Sequence, residues 1–176
     1  AELNCDFLSA TGRKFLRGPR GTGFLYVRGA LLDDGIEPCM LDHFGAPWTA
    51  PETYELRPDA RRFETWERAP ALHLGLGAAA DYALDIGLDA IKLRDFELAG
   101  LIRDSLEAIP GIQVHDTGAE KCAIVTFAHE TIEAREISRR LGDDNINVSV
   151  SRPARTLLDA EARQLPDLVR VSPHYY

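Results

Sequence analysis

Cysteine is scarce in this chain: three occur among 176 residues, at positions 5, 39 and 122. They are widely spaced, they form no C-x-x-C pair, and their number is odd. A disulfide framework needs paired cysteines and a structural zinc site needs closely spaced ones, so we expect neither. This cysteine usage is typical of a reducing compartment, and we expect a cytoplasmic protein.

Long apolar runs and a surplus of positive charge are also missing. No segment is long enough and apolar enough to cross a bilayer, and no secretory signal opens the sequence, so we expect no membrane association. The formal net charge of -8 argues against nucleic-acid binding, because a phosphate backbone would repel the protein. No two histidines share a metal-ligand spacing, and we expect no metal site.

What the chain has is a core-forming composition, with 45% hydrophobic and 27% charged residues. It has no initiating Met, a strand-like segment begins almost at once, and the last residues follow an apolar run. We therefore expect a segment of a longer protein, truncated at both ends.

Hydrophobic patterns predict the order of elements. Apolar runs at 5–9 and 23–27 flank a stretch rich in glycine, proline and basic residues, which indicates strand, turn and strand. Prolines interrupt 33–70, where we expect irregular structure with a short strand near 62–64. Helical spacing predicts helices over 71–86 and 88–109, and the second has five apolar residues on one side: Ile91, Leu98, Leu101, Ile102 and Leu106.

After Pro110-Gly111 the pattern alternates. It predicts a helix over 134–141 and strands over 112–115, 122–128, 146–150 and 168–171. Strands and helices in this order favour an α/β or α+β sandwich with its helices on one face of the sheet. Cys122 falls in one of these apolar strands, and we expect it to be an inert core residue.

The stretch from Ser9 to Gly23, SATGRKFLRGPRGTG, carries the most chemical information. A lysine at a strand end, before a glycine-rich turn, can form a Schiff base with an aldehyde when neighbouring charges depress its pKa. For Lys14 those neighbours would be Arg13 and Arg17. Thr11 and backbone N–H groups of the turn are suited to a phosphate. The spacing alone favours a solvated basic loop that joins two strands, whereas a P-loop is excluded because no Gly-Lys-Ser/Thr follows.

The segment ATGRKFLRGPRGTGFLYVR resembles the cofactor-lysine segment of the class V aminotransferase family, which includes cysteine desulfurases and isopenicillin-epimerase-like proteins. The resemblance implies that Lys14 carries pyridoxal 5'-phosphate (PLP) as a Schiff base. Thr11 would help to hold the cofactor phosphate. Arg13 stands where many relatives have a phosphate-contacting His, and it would take that role.

The resemblance also implies the fold and the domain organisation. An α/β architecture is expected, with the end of a PLP-transferase large domain followed by a small α+β C-terminal domain. Residues 1–70 would complete the large domain, 71–109 would be connecting helices, and 110–176 would form the small domain.

Three further segments bear on the activity. LVRVSPHYY resembles the family's Arg-x-Ser strand, which implies that Arg170 binds the substrate α-carboxylate. Trp66 and Glu67 stand where desulfurases have a Gly-Thr that reaches the partner subunit's cofactor phosphate, and Trp66 is expected to pack in a core or an interface. Desulfurases carry a nucleophilic Cys on the loop before the arginine strand, and the equivalent stretch here, VSVSRPART, has none.

The resemblance implies an enzyme that acts on an amino-acid substrate, as a homodimer. Transamination, β-elimination of a sulfur group and epimerisation all remain open. We expect this segment alone to be catalytically inactive or nearly so, because the family supplies further cofactor contacts from its N-terminal half. Two alternatives from other classes are a non-catalytic binding or oligomerisation module and a nucleotide-phosphate binder that uses the glycine turn.

Overall fold

The computed structural model describes residues 3–176. The chain forms two compact units, one ending at Asp85 and the other spanning Ile86–Tyr176. No helix within the described residues is both long and apolar enough to span a membrane.

The first unit is built on a β-hairpin and a long helix. Strands β1 (Phe7–Thr11) and β2 (Gly23–Val27) pair antiparallel, with Thr11 opposite Gly23. A short helix α1 (Gly29–Asp33) follows, and then a small hairpin of β3 (Trp48–Ala50) and β4 (Thr53–Tyr54). A 3-10 helix at Ala60–Phe63 precedes α2 (Pro70–Ile86).

Within the first unit, the hairpin of β1 and β2 exposes much apolar surface. Phe24 is 48% exposed and the adjacent Leu25 is 42% exposed. Successive residues of a strand point to opposite faces, so β2 presents apolar side chains on both. An isolated two-stranded hairpin is marginally stable in water. The connecting loop and α2 therefore contribute much of its support.

The second unit packs helices on a four-stranded antiparallel sheet of order β5-β6-β8-β7. Its strands are β5 (Ile112–Val114), β6 (Val125–His129), β7 (Ser149–Ser151) and β8 (Leu168–Val171). Its helices are α3 (Leu88–Glu107), α4 (Ala134–Asp143) and α5 (Leu157–Arg163), with a 3-10 helix at Pro153–Arg155.

The core of the second unit lies between α3, α4 and the sheet. Val125 and Val169, on the central strands, are fully buried, and Ala99 of α3 packs against Val125. Phe127, two residues after Val125, is buried as well, as the period of a strand requires. This packing, rather than helix propensity, holds the unit together.

A buried ion pair ties α3 to the loop before β6. Arg103 donates from Nε to Asp116 Oδ2 at 2.8 Å, and both side chains are 9% exposed. Arg103 also donates to the carbonyl oxygens of Cys122 and Ile124, and Asp116 Oδ1 accepts from the backbone N–H of Thr126. The buried charges thus have the additional hydrogen bonds that such a pair needs.

Three expectations are wrong. Residues 60–63 form a 3-10 helix instead of a strand near 62–64, because the Asp59 carboxylate accepts from Arg61 N and starts a helical turn. Cys122 is exposed and precedes β6, which begins only at Val125. Leu101 is 64% exposed, because α3 instead buries the stripe of Asp95, Ala99 and Arg103.

Candidate functional site

The loop between β1 and β2 is closed by its own backbone. Gly12 N donates to Thr22 O at 2.9 Å, Gly18 N to Gly12 O at 2.8 Å, and Arg17 N to Lys14 O at 2.8 Å. Arg17 adopts a φ of 59°, in the left-handed region, just after this turn. Three N–H groups of the turn are therefore committed within the loop, so they are not donors to a bound phosphate.

The three predicted cofactor residues lie together on this loop. Thr11 ends β1, and Arg13 and Lys14 follow in the turn, all three exposed. Thr11 Oγ1 donates to Thr22 O at 3.4 Å, a long bond that a stronger acceptor would readily replace. A threonine hydroxyl that is followed in the sequence by two basic residues is a suitable contact for a phosphate. The Arg17 guanidinium lies over the Tyr82 ring, 5.4 Å from its centroid, and its expected effect on Lys14 stays a prediction.

Helix α2 buttresses the loop through glycine contacts. A Cβ at Gly12 would lie 2.6 Å from Leu76 Cδ1 and 2.6 Å from Thr22 Oγ1. A Cβ at Gly75 would lie 2.8 Å from the ring of Pro19. Thr22 is itself buried, and its hydroxyl donates to Pro19 O at 2.6 Å. The absence of side chains at 12 and 75 therefore sets how closely the lysine loop approaches the helix.

This close approach predicts opposite effects for two Gly→Ala variants. Gly12→Ala is expected to lower the free energy of unfolding by about 1–3 kcal/mol, because Thr22 and Leu76 must move. Gly77→Ala, at an open position of α2, is expected to raise it by about 0.5–1 kcal/mol. Thermal unfolding followed by circular dichroism measures both. Equal stability of the two variants would contradict the packing of the loop on α2.

A groove of about 1040 Å³ opens between the hairpin and α2. The loop contributes Leu16 and Gly21, the helix contributes Leu72 and Leu76, and Lys14 is not among its described lining residues. Its polar lining includes both acidic and basic side chains: Asp59, Arg61, Glu64, Glu67 and Arg68. The groove and the lysine are therefore separate features of the same loop.

The segment before α2 is fastened by Asp42. The Asp42 carboxylate accepts from the N–H groups of Phe44 and Gly45 at 2.9 and 3.2 Å, and from Trp66 N at 2.6 Å. The bond from Trp66 is the main reason that the pKa of Asp42 lies below its usual value. Trp66 is 61% exposed and lies against the rings of His43 and Phe44. Trp66 therefore does not pack in the core of this unit, and its packing in an interface stays a prediction.

The Asp42 clamp predicts a response to acid. Because the folded-state pKa is depressed, the clamp contributes stability above the usual value of 3.8 and loses it as the pH falls through the lower folded value. We expect Trp66 fluorescence, in a Trp48→Phe and His43→Gln background, to change only below pH 3.8. Asp42→Ala should show the changed emission already at neutral pH, since alanine has no side-chain acceptor for Trp66 N. Identical emission at pH 7 would refute the clamp.

Arg170 lies in the second unit, in the middle of β8. Its neighbours Val169 and Val171 belong to the apolar core, whereas Arg170 pairs across the sheet with Thr126 and Ser149. Arg170 is therefore on the face opposite the core, half-buried, with Nε donating to Ser172 Oγ at 3.2 Å. A guanidinium oriented through Nε is suited to bind a carboxylate with its two remaining nitrogens. Lys14 and Arg170 are each placed within their own unit.

Asp42 and Leu76 were missed by the sequence reasoning. The signal for Asp42 was present, because Asp-His-Phe-Gly is the pattern of an Asx turn with glycine at its fourth position. Nothing local could have paired Leu76 with Gly12. Across residues 3–176 no three His, Cys, Asp or Glu side chains cluster closely enough to hold a metal ion.

Several solved structures share this fold. A cysteine desulfurase from Thermococcus onnurineus, solved in its apo form, superposes with a TM-score of 0.87 and 24% identity, over 99% of this chain and 44% of that one. C-DES, a cystine C–S lyase solved with its product cysteine persulfide, gives 0.78 and 23% over 99% and 43%. A C-DES variant with glycine covalently linked to PLP gives 0.78 and 22%, with the same coverage. At these identities the likeness shows the fold alone.

Sequence comparison identifies the family. A probable cysteine desulfurase of Halalkalibacterium halodurans is 34% identical over 179 residues, which cover 92% of this chain and 40% of the relative. The chain thus spans about two fifths of this curated relative. The family model for aminotransferase class V matches residues 1–176. The α/β fold is confirmed as a fragment of the PLP-transferase fold, and the chain belongs to the class V aminotransferase family.

Proposed function

We propose that this chain is the C-terminal part of a PLP-dependent enzyme that acts on an amino acid, and that Lys14 holds the cofactor. The supporting observation is that the family's lysine motif stands on an exposed loop that is closed by its own hydrogen bonds and braced by α2. A braced loop fixes the position of an amine, as covalent binding of an aldehyde requires.

The residues of the loop fit an aldehyde that carries a phosphate. Thr11 offers a hydroxyl held by only a long bond, Arg13 brings a positive charge next to Lys14, and Gly12 leaves no side chain between them. Three turn N–H groups are already used, so we expect Thr11 and Arg13 to make phosphate contacts on this loop alongside the remaining N–H groups.

In such an enzyme the cofactor supplies an electron sink that stabilises negative charge at the substrate Cα. The Lys14 amine, once displaced by the substrate, would carry the Cα proton. Arg170 would bind the α-carboxylate with its planar guanidinium and thereby decide which Cα bond is aligned for cleavage. We further propose that the whole enzyme is a cytoplasmic homodimer and that this chain alone is inactive or nearly so.

A C–S lyase is the second candidate function, and one sequence feature indicates where the released sulfur would go. No cysteine follows Cys122, so the stretch 148–156 offers no thiol to accept sulfur. Sulfur released from a substrate would then leave on a small molecule rather than on the protein. Analysis of products from cysteine, cystine and alanine, with and without an added 2-oxo acid, discriminates the candidates. A keto acid formed together with ammonia indicates elimination, whereas a keto acid formed only when the added 2-oxo acid takes up the amino group indicates transamination.

Borohydride reduction of the full-length protein with PLP, followed by peptide mapping, tests the proposal. We expect a pyridoxyl group on the peptide that contains Lys14. The chain has only two other lysines, Lys92 and Lys121, and both serve as internal controls for adventitious labelling. A folded protein without label at Lys14, or with equal label on all three lysines, would refute the proposal and favour the binding module.

A further inference from the structure

The sheet of the second unit has an open polar face around Arg170. Val169 and Val171 lie in the core. Successive residues of a strand alternate between the two faces, so the side chains of Leu168 and Arg170 project from the face opposite the core. Leu168 is only 7% exposed, whereas Arg170 is half-buried and still accessible. This face is therefore closed at the start of β8 and open toward the end of that strand.

Two hydroxyl residues stand directly beside Arg170 on the open face. Thr126 of β6 is its cross-strand partner on one side, and Ser149 of β7 is its partner on the other. Residues directly opposite each other in an antiparallel pair have their Cβ atoms about 4.5–5.5 Å apart and on the same face. The three strands thus bring a hydroxyl-bearing residue to each side of the arginine.

Only one of these two hydroxyls is available as a donor to a ligand. Thr126 Oγ1 donates to Asp116 Oδ1 at 2.6 Å, so its proton is already used within the protein. Ser149 is exposed, and its hydroxyl makes no hydrogen bond with any part of the chain that the structure describes. The second serine at this edge of the sheet, Ser151, pairs with the buried Leu168 and not with the arginine.

The guanidinium of Arg170 is oriented by its own strand. Its Nε donates to Ser172 Oγ at 3.2 Å, which leaves Nη1 and Nη2 for a ligand. These two nitrogens suit the two oxygens of a carboxylate, and each carboxylate oxygen can accept a further hydrogen bond. Ser149 is the uncommitted donor beside Arg170, and a strand holds a side chain in place more precisely than a loop does.

We propose that Ser149 donates a hydrogen bond to the carboxylate that Arg170 binds, so that this sheet face forms a carboxylate site with donors from two strands. The inference rests on the proposed role of Arg170 and adds a second ligand contact to it. Ser149 acts on the carboxylate, which all amino acids share. It therefore strengthens binding of the substrate without selecting the substrate side chain.

Ser149→Thr and Ser149→Val test this contact in the full-length enzyme. Both replacements are β-branched, suit a strand and have nearly the same shape, but only threonine keeps the hydroxyl. We expect Ser149→Thr to keep a KM for the amino acid close to that of the parent. Ser149→Val should raise KM by about tenfold with kcat less affected, because a hydrogen bond to a charged group is lost. Ser105→Ala removes an exposed serine of α3 and is the matched control, with an unchanged KM.

Propionate provides a readout that does not depend on turnover, because it has a carboxylate but no amine. Its Kd, from a ligand-observed NMR titration of the full-length protein, should increase by the same factor in Ser149→Val and stay unchanged in Ser149→Thr. Equal Kd values for the two variants would overturn the contact from Ser149. Arg170→Ala separates the two levels. If it weakens propionate binding and Ser149→Val does not, the contact from Ser149 fails alone; if it leaves the Kd unaltered, the proposed role of Arg170 fails as well.

Discussion

Replacement of Lys14 by alanine is expected to reduce turnover of the full-length protein by about a thousandfold or more, because one side chain both holds the cofactor and moves the Cα proton. The absorbance of the bound aldehyde should change at the same time, since PLP would bind without a covalent link. Steady-state kinetics and an absorbance titration with PLP measure the two effects separately.

Two variants serve as controls, one for the positive charge at position 14 and one for the loss of a lysine elsewhere in the chain. Lys14→Arg keeps the positive charge but has no amine that condenses with an aldehyde, so it should be as inactive as Lys14→Ala. Lys92→Ala removes an exposed lysine of α3 and should retain full activity. Substantial turnover by Lys14→Arg would show that this residue acts only through its charge, which would contradict covalent binding at this position.

Asp116→Ala is expected to cost about 3–5 kcal/mol in the free energy of unfolding. The substitution leaves the Arg103 guanidinium buried without its carboxylate, and it removes the acceptor for Thr126 N. Urea unfolding followed by circular dichroism gives the value, and the loss should be confined to the transition of the second unit.

An exposed ion pair of the same unit provides the comparison. Lys92 and Glu120 are 4.0 Å apart, with side chains 57% and 84% exposed, so Glu120→Ala should change stability by no more than about 0.5 kcal/mol. The double variant Arg103→Leu with Asp116→Leu should lose less than the sum of the single losses, because no charge is left alone. Additive losses would mean that the two side chains stabilise the fold independently.

The parts of the fold that were predicted well are those whose signal is local. Strands β2 and β8 have the predicted limits, and α2 begins within one residue of its prediction, because period and flanking turn residues act over short distances. The prediction failed where contacts with other parts of the chain determine the type of element or its buried face. The Asp59 side chain caps residues 60–63, which form a 3-10 helix instead of a strand. Helix α3 packs on the sheet with the small Ala99 buried, whereas Leu101 is exposed.

For the candidate site, the resemblance to the class V aminotransferase family indicated the candidate residues, and the structure shows the contacts around them. The roles of Thr11, Arg13, Lys14 and Arg170 stay predictions. The sequence could not indicate that the turn uses its own N–H groups, that Arg17 lies over Tyr82, or that Asp42 fastens Trp66. Each of these depends on contacts between residues that are distant in the sequence or on backbone geometry that composition does not encode.

Because Gly12 packs closely on Leu76, the side chain at position 76 sets the distance between α2 and the loop that carries Lys14. A shorter side chain at 76 would let the loop settle toward the helix, and a bulkier one would lift it, with no change in the motif itself. The reach of the Lys14 amine can therefore be tuned from a position on α2, outside the lysine loop. Residue 76 is therefore the position at which an engineer would adjust how far that amine extends.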